Sequence, residues 1–280
     1  MRHAILLIIT SATACSFELG ATGGVDASPN VEGDGAGSVD AAPMQDAGIL
    51  ADAPPAQIVC TTSDGSLRLC LEFEDPELGT ALDGSGLAHH ATVSGATVAT
   101  RAIPSTSRAI GVTTTAAIMI PDTTDLELQT LTMTAWVQRS SLPTNGQRFG
   151  ILDVGRRQAA LAIDDQGRVN CLVKTSDTIW VGIGGSTAAN EWALVACTYD
   201  APTLCAYSFR NGSATPSVTC GETDGEALDT SSSAGSTIGA LFDTSNNPSS
   251  RLKGNLDSVR IYSRTLSETE LCTAGGLSGC

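Results

Sequence analysis

Residues Leu131-Thr132-Met133-Thr134-Ala135-Trp136-Val137-Gln138 decide the fold class. Leu131, Met133, Ala135 and Val137 recur at period two, the spacing that puts alternate side chains on one face of a β-strand. Upstream, Leu67-Arg68-Leu69-Cys70-Leu71-Glu72-Phe73-Glu74 repeats the pattern, with Leu67, Leu69, Leu71 and Phe73 on one face. Further strand candidates span 116–120, 149–154, 158–163, 168–174, 178–182, 192–199, 203–209 and 255–263. Asp164-Asp165-Gln166-Gly167, Asp200-Ala201-Pro202 and Arg210-Asn211-Gly212 separate them as turns. Many short strands without a long helical period predict an all-β antiparallel sandwich or jelly roll. One short helix is expected near the C-terminus, where Ser267 and Glu270 have the spacing of a capping box.

The chain of 280 residues is acidic, with a formal charge of −15. Seven acidic residues and no Lys or Arg fall within 16–57, and no basic patch follows. An acidic surface repels phosphate backbones, which argues against nucleic-acid binding. Residues 1–14 read as an export signal: Arg2 and His3, then the apolar run 4–9, then small residues. That run is too short to span a bilayer. Ala12-Thr13-Ala14-Cys15 resembles a bacterial lipobox, which makes Cys15 the lipid anchor, and Ser16 resembles an outer-membrane sorting signal. The competing reading is an ordinary cleaved signal with an incidental cysteine. Residues 15–57, rich in Gly, Ala, Asp and Pro, lack the apolar surface to offset ordering entropy and are expected to be a disordered tether. The folded domain is expected over 58–280. The membrane is then touched only through the lipid.

Nine cysteines are present, and setting Cys15 aside leaves an even set of eight, as a disulfide framework requires in an exported chain. Zinc is disfavoured by the absence of any CxxC pair. Cys205 and Cys220 flank the Asn211-Gly212 turn of one expected hairpin. Cys171 and Cys197 lie in strands taken as adjacent, and Cys60–Cys70 and Cys272–Cys280 tie down the two ends.

Three segments together resemble the laminin G-like (concanavalin A-like) domain family. They are Asp83-Gly84-Ser85-Gly86-Leu87-Ala88-His89-His90-Ala91-Thr92-Val93, then Trp192-Ala193-Leu194-Val195-Ala196-Cys197-Thr198-Tyr199-Asp200, then the stretch from Gly254 to Ser267. The resemblance covers about residues 66–274 and implies a two-sheet antiparallel jelly-roll sandwich. It also implies a structural calcium site, with Glu74 and Asp257 as carboxylate ligands near backbone carbonyls around Asp83. The alternative is that Asp257 hydrogen-bonds backbone at a strand start and Glu74 is solvated. Glu72 is solvent-facing on the same pattern, and Trp136 and Trp192 are core.

Catalysis finds no support in the motifs. Sandwich glycan hydrolases alternate carboxylates along one strand so that a pair flanks the scissile bond, and no E-x-D-x-x-E occurs here. No G-x-S-x-G exists either. The expectation is a non-catalytic, surface-exposed module that binds glycan or a surface protein, with Trp180 as the aromatic candidate for ligand contact beside a Gly-rich stretch. A hydrolase or lyase of the same sandwich class, and a structural surface protein without ligand, are the rival readings. His90 is expected to be a structural histidine at a turn.

Overall fold

The structure, a computed structural model, describes residue 60 and residues 64–74, 79–103, 106–176, 178–210 and 212–280. Cys15 and the tether expected over 15–57 lie outside the described residues. In chain order the strands begin with β1 (Leu67–Leu71), β2 (Thr80–Ala81), β3 (Ala91–Ser94), β4 (Thr97–Arg101), β5 (Ser107–Val112) and β6 (Ala117–Ile120). Next come β7 (Leu131–Arg139), β8 (Arg148–Val154), β9 (Ala159–Asp164), β10 (Arg168–Thr175), β11 (Thr178–Ser186) and β12 (Ala193–Asp200). The last are β13 (Thr203–Arg210), β14 (Ser217–Glu222), β15 (Ser236–Ile238), β16 (Leu241–Phe242), β17 (Pro248–Ser249) and β18 (Gly254–Tyr262), followed by helix α1 (Glu268–Ala274).

Two eight-stranded antiparallel sheets result. The first runs β14-β13-β12-β7-β18-β5-β4, with β1 also paired to β18; the second runs β11-β10-β9-β8-β15-β6-β3-β2. The alternating residues of β7 meet the inner faces of both sheets in one core, with Leu131, Met133, Ala135 and Val137 beside Leu161, Val173, Val195 and Ile261. The other face of β7 is buried as well. Trp136 packs there with Trp192, Phe209, Leu271 and Leu277, because α1 and the residues after it cover the outside of the first sheet. The indole Nε1 of Trp136 donates to the Gly275 carbonyl at 3.1 Å. Ser267 caps α1 reciprocally with Glu270, as its spacing predicts.

Strand β1 departs from the simple alternation. A register shift between Leu67 and Leu69 turns Leu67 out of the main core and into the second cluster beside Tyr262. Strand β18 carries a matching irregularity between Asp257 and Arg260. Its first residues pair with β5 and its last with β1, so Asp257 and Ser258 sit where the neighbour changes. That gap admits buried polar side chains into the sheet.

The disulfides join Cys60–Cys70, Cys171–Cys197, Cys205–Cys220 and Cys272–Cys280. Cys205 and Cys220 face each other across β13 and β14. Cys171 and Cys197 are not on adjacent strands: β10 belongs to the second sheet and β12 to the first, so this bridge crosses the core. A 26-residue separation gives it roughly 3–4 kcal/mol of unfolded-state restriction in the chain-entropy account. Four disulfides place the domain in an oxidising, exported setting. Among the described residues, no helix is long and apolar enough to cross a membrane.

Candidate functional site

The carboxylates that the family resemblance assigns to calcium do not converge. Asp83 spends both oxygens on its own turn: Oδ1 accepts from the backbone N–H of Cys70 and Ser85, each at 2.9 Å, and Oδ2 from Ser85 Oγ and the His89 N–H. Glu74 is exposed, and its Oε1 accepts from the Arg108 N–H at 3.1 Å. Asp257 is fully buried, with Oδ2 taken by Arg101 Nε at 2.6 Å and Ser107 Oγ at 2.7 Å, and Oδ1 by the Ser258 N–H. A hard cation needs six to eight oxygens gathered around it. Here a guanidinium fills the position of positive charge beside Asp257, and the residues do not fit a metal. Glu72 is half-buried rather than solvent-facing: it pairs with Arg260 and accepts from Ser258 Oγ at 2.6 Å. Burial raises the Asp257 carboxyl to about 6 against the opposing pull of Arg101.

Trp180, the aromatic expected to contact a ligand, is turned toward the core. It is partly buried against the main core, and its Nε1 donates to Thr175 Oγ1 at 3.1 Å. Gly182 and Gly184 share its face of β11, where a Cβ on Gly184 would meet the Ala206 carbonyl oxygen at 2.3 Å. Glycine there lets β11 fold tightly onto β13, which draws Trp180 inward. The opposite face exposes Ile179, Val181 and Ile183. His90 accepts from the Asp83 N–H through Nδ1, the structural role expected of it.

A different site stands on the outer face of the second sheet. Gly150 in β8 has no side chain, and the Ala240 backbone lies against it, since a Cβ there would come within 2.1 Å of the Ala240 carbonyl carbon. This close approach lays the β16–β17 hairpin over the sheet, where Leu241 packs on Ala160, Ala162 and Leu172 as a separate apolar cluster. Asp153, fully buried, joins the hairpin to the β8–β9 turn: Oδ2 accepts from the Phe242 N–H at 2.8 Å and Oδ1 from the Arg157 N–H. Between hairpin, turn, Lys174, Ile179 and the 229–233 loop lies a cavity of about 510 Å³. Two other clefts among the described residues are smaller, about 300 Å³ beside Arg264 and about 260 Å³ beside Arg148.

The lining is polar. Lys174 Nζ pairs with Asp229, whose other oxygen accepts from Ser231 N and Oγ. The Lys174 bond, with help from Ser231, holds Asp229 at about 2. Asp243 is also held down, by the backbone N–H groups of Asn247 and Ser245. Asp153 is pushed up to about 7 by burial, but no solvent reaches it. Sequence reading missed this site because most of its residues lie in turns and loops, and those in strands come from separate elements. Its one advance signal was Gly150 inside an apolar strand, a mark of close backbone approach.

The profile of the concanavalin A-like lectin/glucanases superfamily matches residues 112–272, more than half of the chain, and the protein belongs to that superfamily. Among solved structures, it resembles domain 4 of a GH43 extracellular arabinanase from Geobacillus stearothermophilus in complex with arabinotriose. That likeness has TM-score 0.54 and 18% identity, covering 75% of this chain and 98% of that one. A Trypanosoma rangeli sialidase is similar at TM-score 0.53 and 16% identity over 76% of this chain, which matches only 33% of the sialidase. The binding domain of botulinum neurotoxin DC, in complex with rat synaptotagmin II, is similar at TM-score 0.52 and 13% identity, covering 76% of this chain and 51% of that one. At these identities the likeness is one of fold. No curated protein matches the chain.

Proposed function

We propose that this chain is a non-catalytic carbohydrate-binding module, exported and held at a bacterial outer surface by a lipid on Cys15. The observation that carries the reading is the polar cavity between the β8–β9 turn and the β16–β17 hairpin, fixed by backbone bonds to Asp153. Sugar hydroxyls are recognised by convergent donors and acceptors on a preformed wall, and this lining supplies both. Its carboxyls do not suit hydrolysis. A glycosidase acid must hold its proton near neutral pH and reach the glycosidic oxygen. Asp229 and Asp243 are held ionised, and Asp153 is enclosed. The arabinotriose complex of a structural relative is in keeping with a sugar ligand.

Purified chain presented with a polysaccharide panel is expected to bind at least one member and to release no reducing ends. Ser233→Trp, at an exposed residue lining the cavity, is expected to abolish the binding without lowering the melting temperature. Absence of binding across the panel would remove the carbohydrate reading, and turnover lost in Asp229→Asn would replace it with a hydrolase. Anchoring has its own test. A palmitate analogue should label the wild type and leave Cys15→Ser unlabelled; equal labelling of both would leave an ordinary secreted protein.

A further inference from the structure

Gly155, Arg156 and Arg157 form three successive left-handed residues, at φ of 53°, 53° and 70°. The left-handed region is routine for glycine and costly for a side chain as long as arginine. Such conformations persist where the surroundings over-determine them, and they gather at ligand sites. Here the surroundings are explicit: the Gly155 N–H donates to the Gly235 carbonyl at 2.9 Å and the Arg157 N–H to buried Asp153. One result is chemical. Consecutive residues of a strand face opposite sides, whereas in this turn both guanidiniums line the same cavity.

The donors of those guanidiniums are barely used by the protein. Arg156 Nη2 donates to the Thr244 carbonyl at 2.6 Å and Arg157 Nη2 to the Phe242 carbonyl at 3.3 Å. Arg157 Nε is buried with no hydrogen-bond partner among the described residues. A guanidinium has five N–H donors, and a buried one left unmatched is costly. No carboxylate of the cavity forms a salt bridge with either arginine among the described residues: Asp229 is engaged by Lys174 and Ser231, and Asp243, which the charge of Arg156 helps to hold down, is engaged by backbone N–H groups. Two under-used arginines and a lysine therefore share one cavity of a chain with 30 acidic and 15 basic residues. Bidentate N–H pairs fit carboxylates and sulfates, and do so with charge-assisted strength.

We infer that the cavity recognises an acidic saccharide, with Arg156 and Arg157 clamping the anionic group of a uronate or a sulfated sugar. This rests on the carbohydrate-binding reading and names its ligand class. The acidity of the rest of the surface is compatible with it, because charges farther than about 8 Å are screened at physiological salt while the clamp acts in contact.

The test is calorimetric titration of the full chain with trigalacturonate, a sulfated carrageenan oligosaccharide and neutral cellotriose, at 0.15 M salt. An acidic arm is expected to bind at least tenfold tighter than cellotriose, and which acidic arm wins tells carboxylate from sulfate. Arg156→Gln and Arg157→Gln should each bring the affinity for the acidic sugar down to that for cellotriose. Arg156 is exposed, so its variant reads the clamp even if Arg157→Gln folds poorly. Arg157→Lys, which keeps charge without the planar fork, should recover only part of the margin. Equal binding of all three sugars, insensitive to both glutamine variants, overturns the acidic specificity while leaving carbohydrate binding intact. Binding of none by the wild type overturns both.

Discussion

Asp257→Ala is expected to lower the unfolding free energy by about 3–5 kcal/mol, because it leaves a buried arginine without its counter-charge. Arg101 is 1% exposed and Asp257 0%, and they meet at 2.6 Å. The guanidinium is fixed on its other sides: Nη1 donates to the Ile103 carbonyl at 2.8 Å, Nη2 to Ser258 Oγ, and its centre lies 5.1 Å from the Trp136 ring centroid. With the carboxylate gone, no rearrangement within that packing returns the cation to water. A globular domain has only about 5–15 kcal/mol in total, so the variant should unfold at much lower urea. The double variant Arg101→Met with Asp257→Leu should recover most of the loss, since an apolar pair of similar volume removes both desolvation costs. A Asp257→Ala variant within 1 kcal/mol of wild type would refute the pairing. The same network makes a second result expected: wild-type melting is unmoved between calcium and chelator. A fall in melting temperature on chelation would restore a metal to this region.

That network explains where sequence reading stopped. Asp257 was legible as a special residue only through the family resemblance, which assigned it to calcium. The partner was not legible. Arg101 ends β4, an edge strand of small residues whose pattern gives no alternation, and it lies 156 positions away in sequence. The register shifts in β1 and β18 were equally hidden, since a period-two pattern cannot announce where it slips. Strands with large alternating side chains were readable: β7, β8, β9, β10, β12, β13 and β18 all fall on their expected stretches. Strands β3, β4, β5 and β14 were not, being short or exposed and built from Ser, Thr, Ala and Gly. The cavity shows the same limit from another side. Turns look alike in sequence as polar punctuation, and only the fold shows that Arg156-Arg157, Lys174 and the 229–233 loop share a wall.

The buried carboxyl behind that wall gives the last expected result, a stability that falls as pH rises. Burial lifts Asp153 to about 7, although N–H bonds from Phe242 and Arg157 and the charges of both neighbouring arginines work the other way. In the unfolded chain it returns to the usual carboxylate value near 3.8. Between those values the folded state holds a proton that the unfolded state has released. Its contribution is therefore complete below about pH 4 and is lost as pH rises through 7. At about 1.4 kcal/mol per pH unit the span carries roughly 4 kcal/mol. Asp257, raised to about 6, adds a slope of the same sign. Asp229, held at about 2, acts oppositely, but only below pH 4, where its Lys174 pairing is lost to protonation. Urea unfolding from pH 4.5 to 8 should thus show wild-type stability declining by several kcal/mol. Asp153→Asn carries no titrating proton and keeps one acceptor for the two N–H groups, so it should start lower and decline far less. Parallel profiles for the two proteins would mean that Asp153 does not carry the pH dependence. Loss of saccharide binding in Asp153→Asn at unchanged Arg156 and Arg157 would further mark Asp153 as the residue that positions the clamp, since it is fully buried between the turn and the hairpin and bonds to both.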